Sequence, residues 1–122
     1  MMVGYYFDTY AIIELLKGNP LYEFTEENAI ITSAMNLAEL YYSLLLENGE
    51  DNADSILNKL NFGFLEITPK VARASSYFRY NNKKAKLSYI DCVGYTLAKE
   101  NKLLFLTGDR EFEKLENVRF VK

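Results

Sequence analysis

LSYIDCVGYTLAKENKLLFLTGDREF, residues 87–112, places two carboxylates at two chain reversals and joins them through one helix and one strand. Ser88 with Asp91 three residues on is a capping-box pattern, and Ile90, Val93, Leu97 and Ala98 then fall on one helical face. Asp91 is therefore predicted in a first helical turn. Lys99 to Lys102 closes that helix in polar residues, Leu103-Leu104-Phe105-Leu106 reads as a buried strand, and Thr107-Gly108-Asp109 turns sharply out of it. Asp109 thus leaves the carboxyl end of a strand, the edge at which open α/β sheets bind ligands.

Working towards the amino terminus, the same grammar repeats. Val3 to Phe7 is a short apolar strand ending in Asp8-Thr9, and Tyr10 to Leu16 continues as a helix with Ile12, Leu15 and Leu16 on one face, closed by Lys17-Gly18-Asn19-Pro20. Leu21 to Phe24 fits one further helical turn. Ala29 to Thr32 reads as a second strand, after which Ser33 or Asn36 caps a helix carrying Leu37, Leu40, Tyr41, Leu44 and Leu45, with Glu39 in its first turn. Asp51 to Leu60 reads as another helix and Phe62 to Ile67 as a third strand. Thr68-Pro69 supplies an N-cap and a proline at the first helical position, opening a helix to about Tyr80. Past Asp109, a short helix (Arg110 to Leu115) and a last strand (Val118 to Val121) follow. Near-continuous apolar strands alternating with helices argue for an α/β fold of three layers, α/β/α, around a central parallel sheet of about five strands. Nothing divides residues 1–122, so a single domain is expected.

The chain has no histidine, which excludes Ser-His-Asp and Cys-His relays, histidine acid–base catalysis and histidine-ligated zinc. Carboxylate chemistry remains, and carboxylates at neutral pH act mostly by holding hard cations through oxygen. Cys92, the one cysteine, has no disulfide partner and is expected to fill a small core site. No apolar run is long enough to span a bilayer, and Met1 to Asp8 lacks a basic leader and a cleavage site, so a cytoplasmic location with no membrane partner is expected.

In a parallel sheet, Asp8, Glu39, Asp91 and Asp109 all fall on one edge. Carboxylates brought close would repel and raise one another's pKa unless a divalent cation neutralised them. Taken singly, Glu39 and Asp91 are ordinary helix caps, and Asp8 and Asp109 ordinary turn formers. Removing these four acids from a formal charge of −3 leaves +1, so a bound metal would reverse the local sign. Thr9 and Thr107 flank acids and can donate to them. Lys83, Lys84 and Lys86 form the one basic loop, leading straight to Asp91, and read either as solvated or as a phosphate-binding patch. Tyr89 and Tyr95 are placed to stack on a base at the rim. The helix around Tyr41 to Leu46 has more apolar width than one core face needs, which points to a partner surface.

FDTYAIIELLKGNP, ITSAMNLAELYYSLL, LSYIDCVGYTLAKE and LLFLTGDREF together resemble the PIN-domain ribonucleases, most closely the VapC toxins of type II toxin–antitoxin pairs. The resemblance implies a PIN-like fold and metal-dependent hydrolysis of RNA. It implies that Asp8, Glu39, Asp91 and Asp109 form a Mg²⁺ or Mn²⁺ site with Thr107 as the hydroxyl of its turn, and that Lys83, Lys84 and Lys86 hold the RNA backbone. It further implies a homodimer, and a VapB-like antitoxin whose helix fills a groove made by Tyr10, Leu21, Tyr41 and Leu45. The rival readings are a PIN domain that binds RNA or protein without cutting, and a housekeeping RNA-processing nuclease.

Overall fold

The computed structural model describes residues 4–26 and 28–122. Five strands, β1 (Tyr5–Phe7), β2 (Ile30–Thr32), β3 (Phe62–Phe64), β4 (Leu104–Thr107) and β5 (Val118–Phe120), alternate with helices. The helices are α1 (Thr9–Leu16), α2 (Ala34–Asn48), α3 (Glu50–Asn58), α4 (Pro69–Asn81) and α5 (Tyr89–Glu100), with 3₁₀ turns at Pro20–Thr25 and Arg110–Phe112. The expected start of β1 at Val3 lies outside the described residues. β3 ends at Phe64, short of the predicted Ile67: the register with β2 covers Phe62 to Phe64, and β2 ends at Thr32, whose carbonyl accepts the Leu65 N–H at 2.9 Å as the last bond. The helix predicted after Asp109 is a single 3₁₀ turn.

Every strand pairing is parallel: β1 with β4, β4 with β5, and β2 with β3. The expected five-stranded sheet is thus a three-stranded ladder, β1-β4-β5, beside a two-stranded one, β2-β3. β2 lies next to β1, and the buried Thr32 hydroxyl crosses between the two ladders, donating to the Phe7 carbonyl at 2.8 Å.

Side chains alternate across the sheet and so divide the core in two. Tyr6 and Phe105, opposite each other in the β1–β4 register, join Cys92, Tyr95 and Leu97 under α4 and α5. Their neighbours Phe7 and Leu106 face the other way, into Ile12, Leu40 and Ala53 under α1, α2 and α3. These are the two helical layers the apolar strands required. Cys92 fills a fully buried core position, as its setting predicted.

The order β3-β2-β1-β4-β5 makes β1 the strand at which the chain's winding reverses. Ligands in open α/β sheets bind in the crevice at such a reversal, beyond the carboxyl ends of the strands. Asp8 is the first residue beyond β1.

Candidate metal centre

Asp8 caps α1, its Oδ1 accepting the Thr9 N–H at 2.9 Å. Its Oδ2 accepts the Thr107 hydroxyl at 2.7 Å, and the residue is 4% exposed. Thr107 Oγ1 accepts in turn the N–H of Asp109 at 3.0 Å, and Asp109 caps the following 3₁₀ turn through Glu111 N–H. The ends of β1 and β4 are thus laced together by the two acids and the threonine that the sequence singled out.

Glu39 is not in the first turn of its helix. Ser33 is the N-cap, accepting the Asn36 N–H, which sets Glu39 a turn further in. Capping therefore does not explain this glutamate. What holds it is a hydrogen-bond chain: Glu39 Oε1 accepts the Thr9 hydroxyl at 2.8 Å, and Thr9 Oγ1 accepts Asn36 Nδ2 at 3.0 Å. Asn36 Oδ1 accepts from both the Ser33 and the Tyr6 hydroxyls. Asn36 is a positioning residue that reading the sequence missed. Its signal was an amide on the buried stripe of α2, where a polar group must find partners.

Asp91 holds the predicted capping box: its carboxylate accepts the Ser88 N–H at 2.9 Å while the Ser88 hydroxyl accepts the Asp91 N–H at 3.1 Å. The residue is half-buried at the start of α5.

The electrostatics tie these acids into one field. Asp8 is pushed up to about 7, first by burial and then by the charges of Asp91 and Glu39, against the lowering pull of Thr107. Glu39 is raised by burial and by Asp91, and Asp91 by burial and by Asp109. No described cation forms a salt bridge to any of the four. Among the described residues, no three carboxylates are gathered into a ready-made ligand set. The donor chemistry nevertheless fits a hard cation, since the site offers oxygen ligands only and its acids are penalised for carrying their charge unaccompanied.

A family model described as PIN domain matches residues 5–118. The chain belongs to the PIN-domain family. No curated protein matches it by sequence. Among solved structures, this chain is similar to one in DNA-bound VapBC from Salmonella typhimurium, with TM-score 0.79 and 19% identity over 98% of each chain. It is also similar to one in a toxin–antitoxin complex from Klebsiella pneumoniae, with TM-score 0.73 and 20% identity over 95% of each chain. A third is VapC20 of Mycobacterium tuberculosis, a sarcin–ricin loop cleaving toxin, with TM-score 0.71 and 15% identity over 95% of this chain and 99% of that one.

Of the remaining residues, the PIN domain carries Lys83, Lys84 and Lys86 exposed between α4 and α5, with the Lys86 N–H donating to Glu111 Oε2 at 3.3 Å. Tyr95 does not reach the rim. It is buried, stacked on Phe78 with ring centroids 4.6 Å apart, and its hydroxyl donates to the Glu116 carbonyl. Tyr89 is exposed, as expected. Tyr41 and Leu45 pack against the α1–α3 core and the Tyr41 hydroxyl donates to Asp54 on α3, whereas Leu21 is exposed and Tyr10 lies under the Lys122 ammonium. The apolar surplus of α2 consists of Met35, Tyr42 and Leu46, whose spacing puts them on the same face as Glu39.

Proposed function

We propose that this PIN domain is a metal-dependent endoribonuclease and the toxin of a type II toxin–antitoxin pair. The observation that carries this reading is the placement of Asp8, Glu39, Asp91 and Asp109 around the sheet's reversal point, where Asp8 feels the charges of Asp91 and Glu39, Glu39 that of Asp91, and Asp91 that of Asp109. Asp8, Asp91 and Asp109 would hold Mg²⁺ or Mn²⁺, with Glu39 contributing directly or through water. Such an ion lowers the pKa of an attacking water and offsets charge developing at the phosphodiester.

The chain's own part is preorganisation. Thr107 and the Thr9 N–H fix Asp8, Ser88 fixes Asp91, and the Asn36–Thr9 pair fixes Glu39, so each carboxylate is oriented before a cation arrives, and the cation would draw them together into a ligand set. Lys83, Lys84 and Lys86 supply positive charge along the approach to Asp91 for the RNA backbone. The likeness to VapBC structures supports a VapB-like antitoxin as partner, with Tyr10, Leu21, Tyr41 and Leu45 in its path. The exposed Met35, Tyr42 and Leu46 support a homodimer through α2.

The test is cleavage of structured and single-stranded RNAs by the purified protein with Mn²⁺, with Mg²⁺ and with EDTA, beside Asp91→Asn. Metal-dependent cutting lost in the variant is expected. A folded, partner-free protein that neither cuts RNA nor binds Mn²⁺ by calorimetry would replace this reading with the non-cutting PIN domain.

A further inference from the structure

A cavity of about 450 Å³ opens between the end of α4 and the start of α5, beside the acids and separate from them. Its size falls in the range that takes a nucleotide-sized ligand. Arg79, Tyr80, Lys83, Lys86, Leu87 and Tyr89 are among the residues lining it, and none of the lining residues is acidic. In a chain of net charge −3, a concave surface lined by three cations and no acidic residue favours an anion, with the Glu111 carboxylate at its edge 3.3 Å from the Lys86 N–H.

The aromatic rings narrow the ligand further. Tyr80 and Tyr89 are 64% and 57% exposed, although rings of this size usually bury most of their surface. A cation lies over each: the Arg79 guanidinium 4.3 Å from the Tyr89 centroid, and Lys83 Nζ 4.6 Å from that of Tyr80. Arg79 is pinned in place by a bond from its Nε to the Leu87 carbonyl at 3.1 Å. Whereas Lys17, Lys70, Lys99 and Arg110 each reach a carboxylate, Arg79, Lys83 and Lys86 form no salt bridge among the described residues. Flat apolar rings beside unpaired cations are the combination that single-stranded nucleic acid requires, rings for the base and cations for the phosphate.

One tether joins this cavity to the acid edge. Lys86 N–H reaches Glu111 in the turn that Asp109 caps.

We propose that this cavity binds one unpaired nucleotide of the RNA substrate, its base on the Tyr80 and Tyr89 rings and its phosphate on Lys83 and Lys86, so that base identity at this position selects where the acids cut. The proposal rests on the nuclease reading for its substrate and adds to it a determinant of specificity.

The experiment uses four labelled ten-nucleotide RNAs, each a homopolymer of A, C, G or U, titrated by anisotropy against the metal-free protein in EDTA so that nothing is cut. Tyr89→Leu and Tyr80→Leu change exposed rings, and circular dichroism checks their folding. Each is expected to weaken binding by roughly fivefold to a hundredfold, unequally among the four bases and with the salt dependence unchanged. Lys83→Gln with Lys86→Gln should instead lower the slope of log Kd against log salt by about 1.4. Equal affinity in wild type and both tyrosine variants overturns the proposal, as does failure of wild type to bind any of the RNAs. Binding of a ten-residue polyglutamate, lost in Tyr89→Leu while no RNA binds, would reassign the cavity to an acidic peptide. Manganese-dependent cleavage that Asp91→Asn abolishes, alongside RNA binding indifferent to both tyrosines, sinks the nucleotide pocket and spares the nuclease. Tyrosine-dependent RNA binding with no cleavage under any metal does the reverse.

Discussion

The Thr107 hydroxyl donates to Asp8 Oδ2 at 2.7 Å across 99 residues of sequence, and the same oxygen accepts the Asp109 N–H. One buried hydroxyl therefore serves two of the four acids. Thr107→Val keeps the shape and leaves a buried carboxylate and an amide short of a partner. It is expected to cost about 1–3 kcal/mol in urea unfolding at pH 7, and to raise the pKa of Asp8 further because that hydrogen bond favours the charged form. Thr107→Ser should recover most of both.

The metal-free protein should grow less stable as pH rises. Asp8 is held up to about 7 in the fold from a reference near 3.8, mainly by burial, and Glu39 and Asp91 are raised in the same direction. A raised acid favours the folded state while protonated, so its contribution is complete below about pH 4 and is lost by about pH 7. Urea unfolding in EDTA is expected to show a decline of a few kcal/mol between those limits, less whatever other groups contribute in the opposite sense. Asp8→Asn should flatten the profile and be the more stable protein at pH 8. Added Mn²⁺ should raise Tm more at pH 8 than at pH 5, since ligands must be deprotonated to bind.

At position 91 the choice of substitution separates folding from chemistry. Asp91→Asn can still accept the Ser88 N–H and so keeps both bonds of the capping box, whereas Asp91→Ala keeps the bond from its own N–H to the Ser88 hydroxyl and loses the reciprocal one. Both should cut RNA more slowly by on the order of a hundredfold or more. Only the alanine variant should also lose about 1 kcal/mol of stability in the same urea assay.

Gly108 is expected to tolerate no side chain. A Cβ there would meet the Tyr10 ring and stand 2.5 Å from the Val121 carbonyl oxygen, and a backbone atom cannot swing aside. Gly108→Ala should cost about 1–3 kcal/mol and displace the Thr107–Asp109 turn, lowering Mn²⁺ affinity measured by calorimetry.

Much of this was legible in residues alone, for local reasons. Ser88 with Asp91, and Thr68 with Pro69, encode their caps within a few positions, and the apolar runs of β1 and β4 encode burial on both faces. Glu39 was misplaced by a turn because Ser33 and Asn36 are both competent caps, and the structure uses the serine while Asn36 turns inward to Thr9. Tyr95 was misread because a tyrosine buried by long-range stacking on Phe78 looks, in sequence, like one at a rim. The break between the two ladders depends on how β1 and β2 approach, which no local pattern carries.

β1 has its ladder partner in β4, not in any strand that follows it closely. A ribosome delivers Asp8 early and Thr107 about a hundred residues later, with Glu39 and Asp91 between them. Through all that interval the first acid has neither the strand nor the hydroxyl that seats it. On the proposed nuclease reading, the nascent chain would therefore lack an assembled centre for most of its own synthesis. Ribosome-bound chains arrested before Leu104 are expected to leave RNA intact, and cutting by such chains would show that the centre assembles without β4.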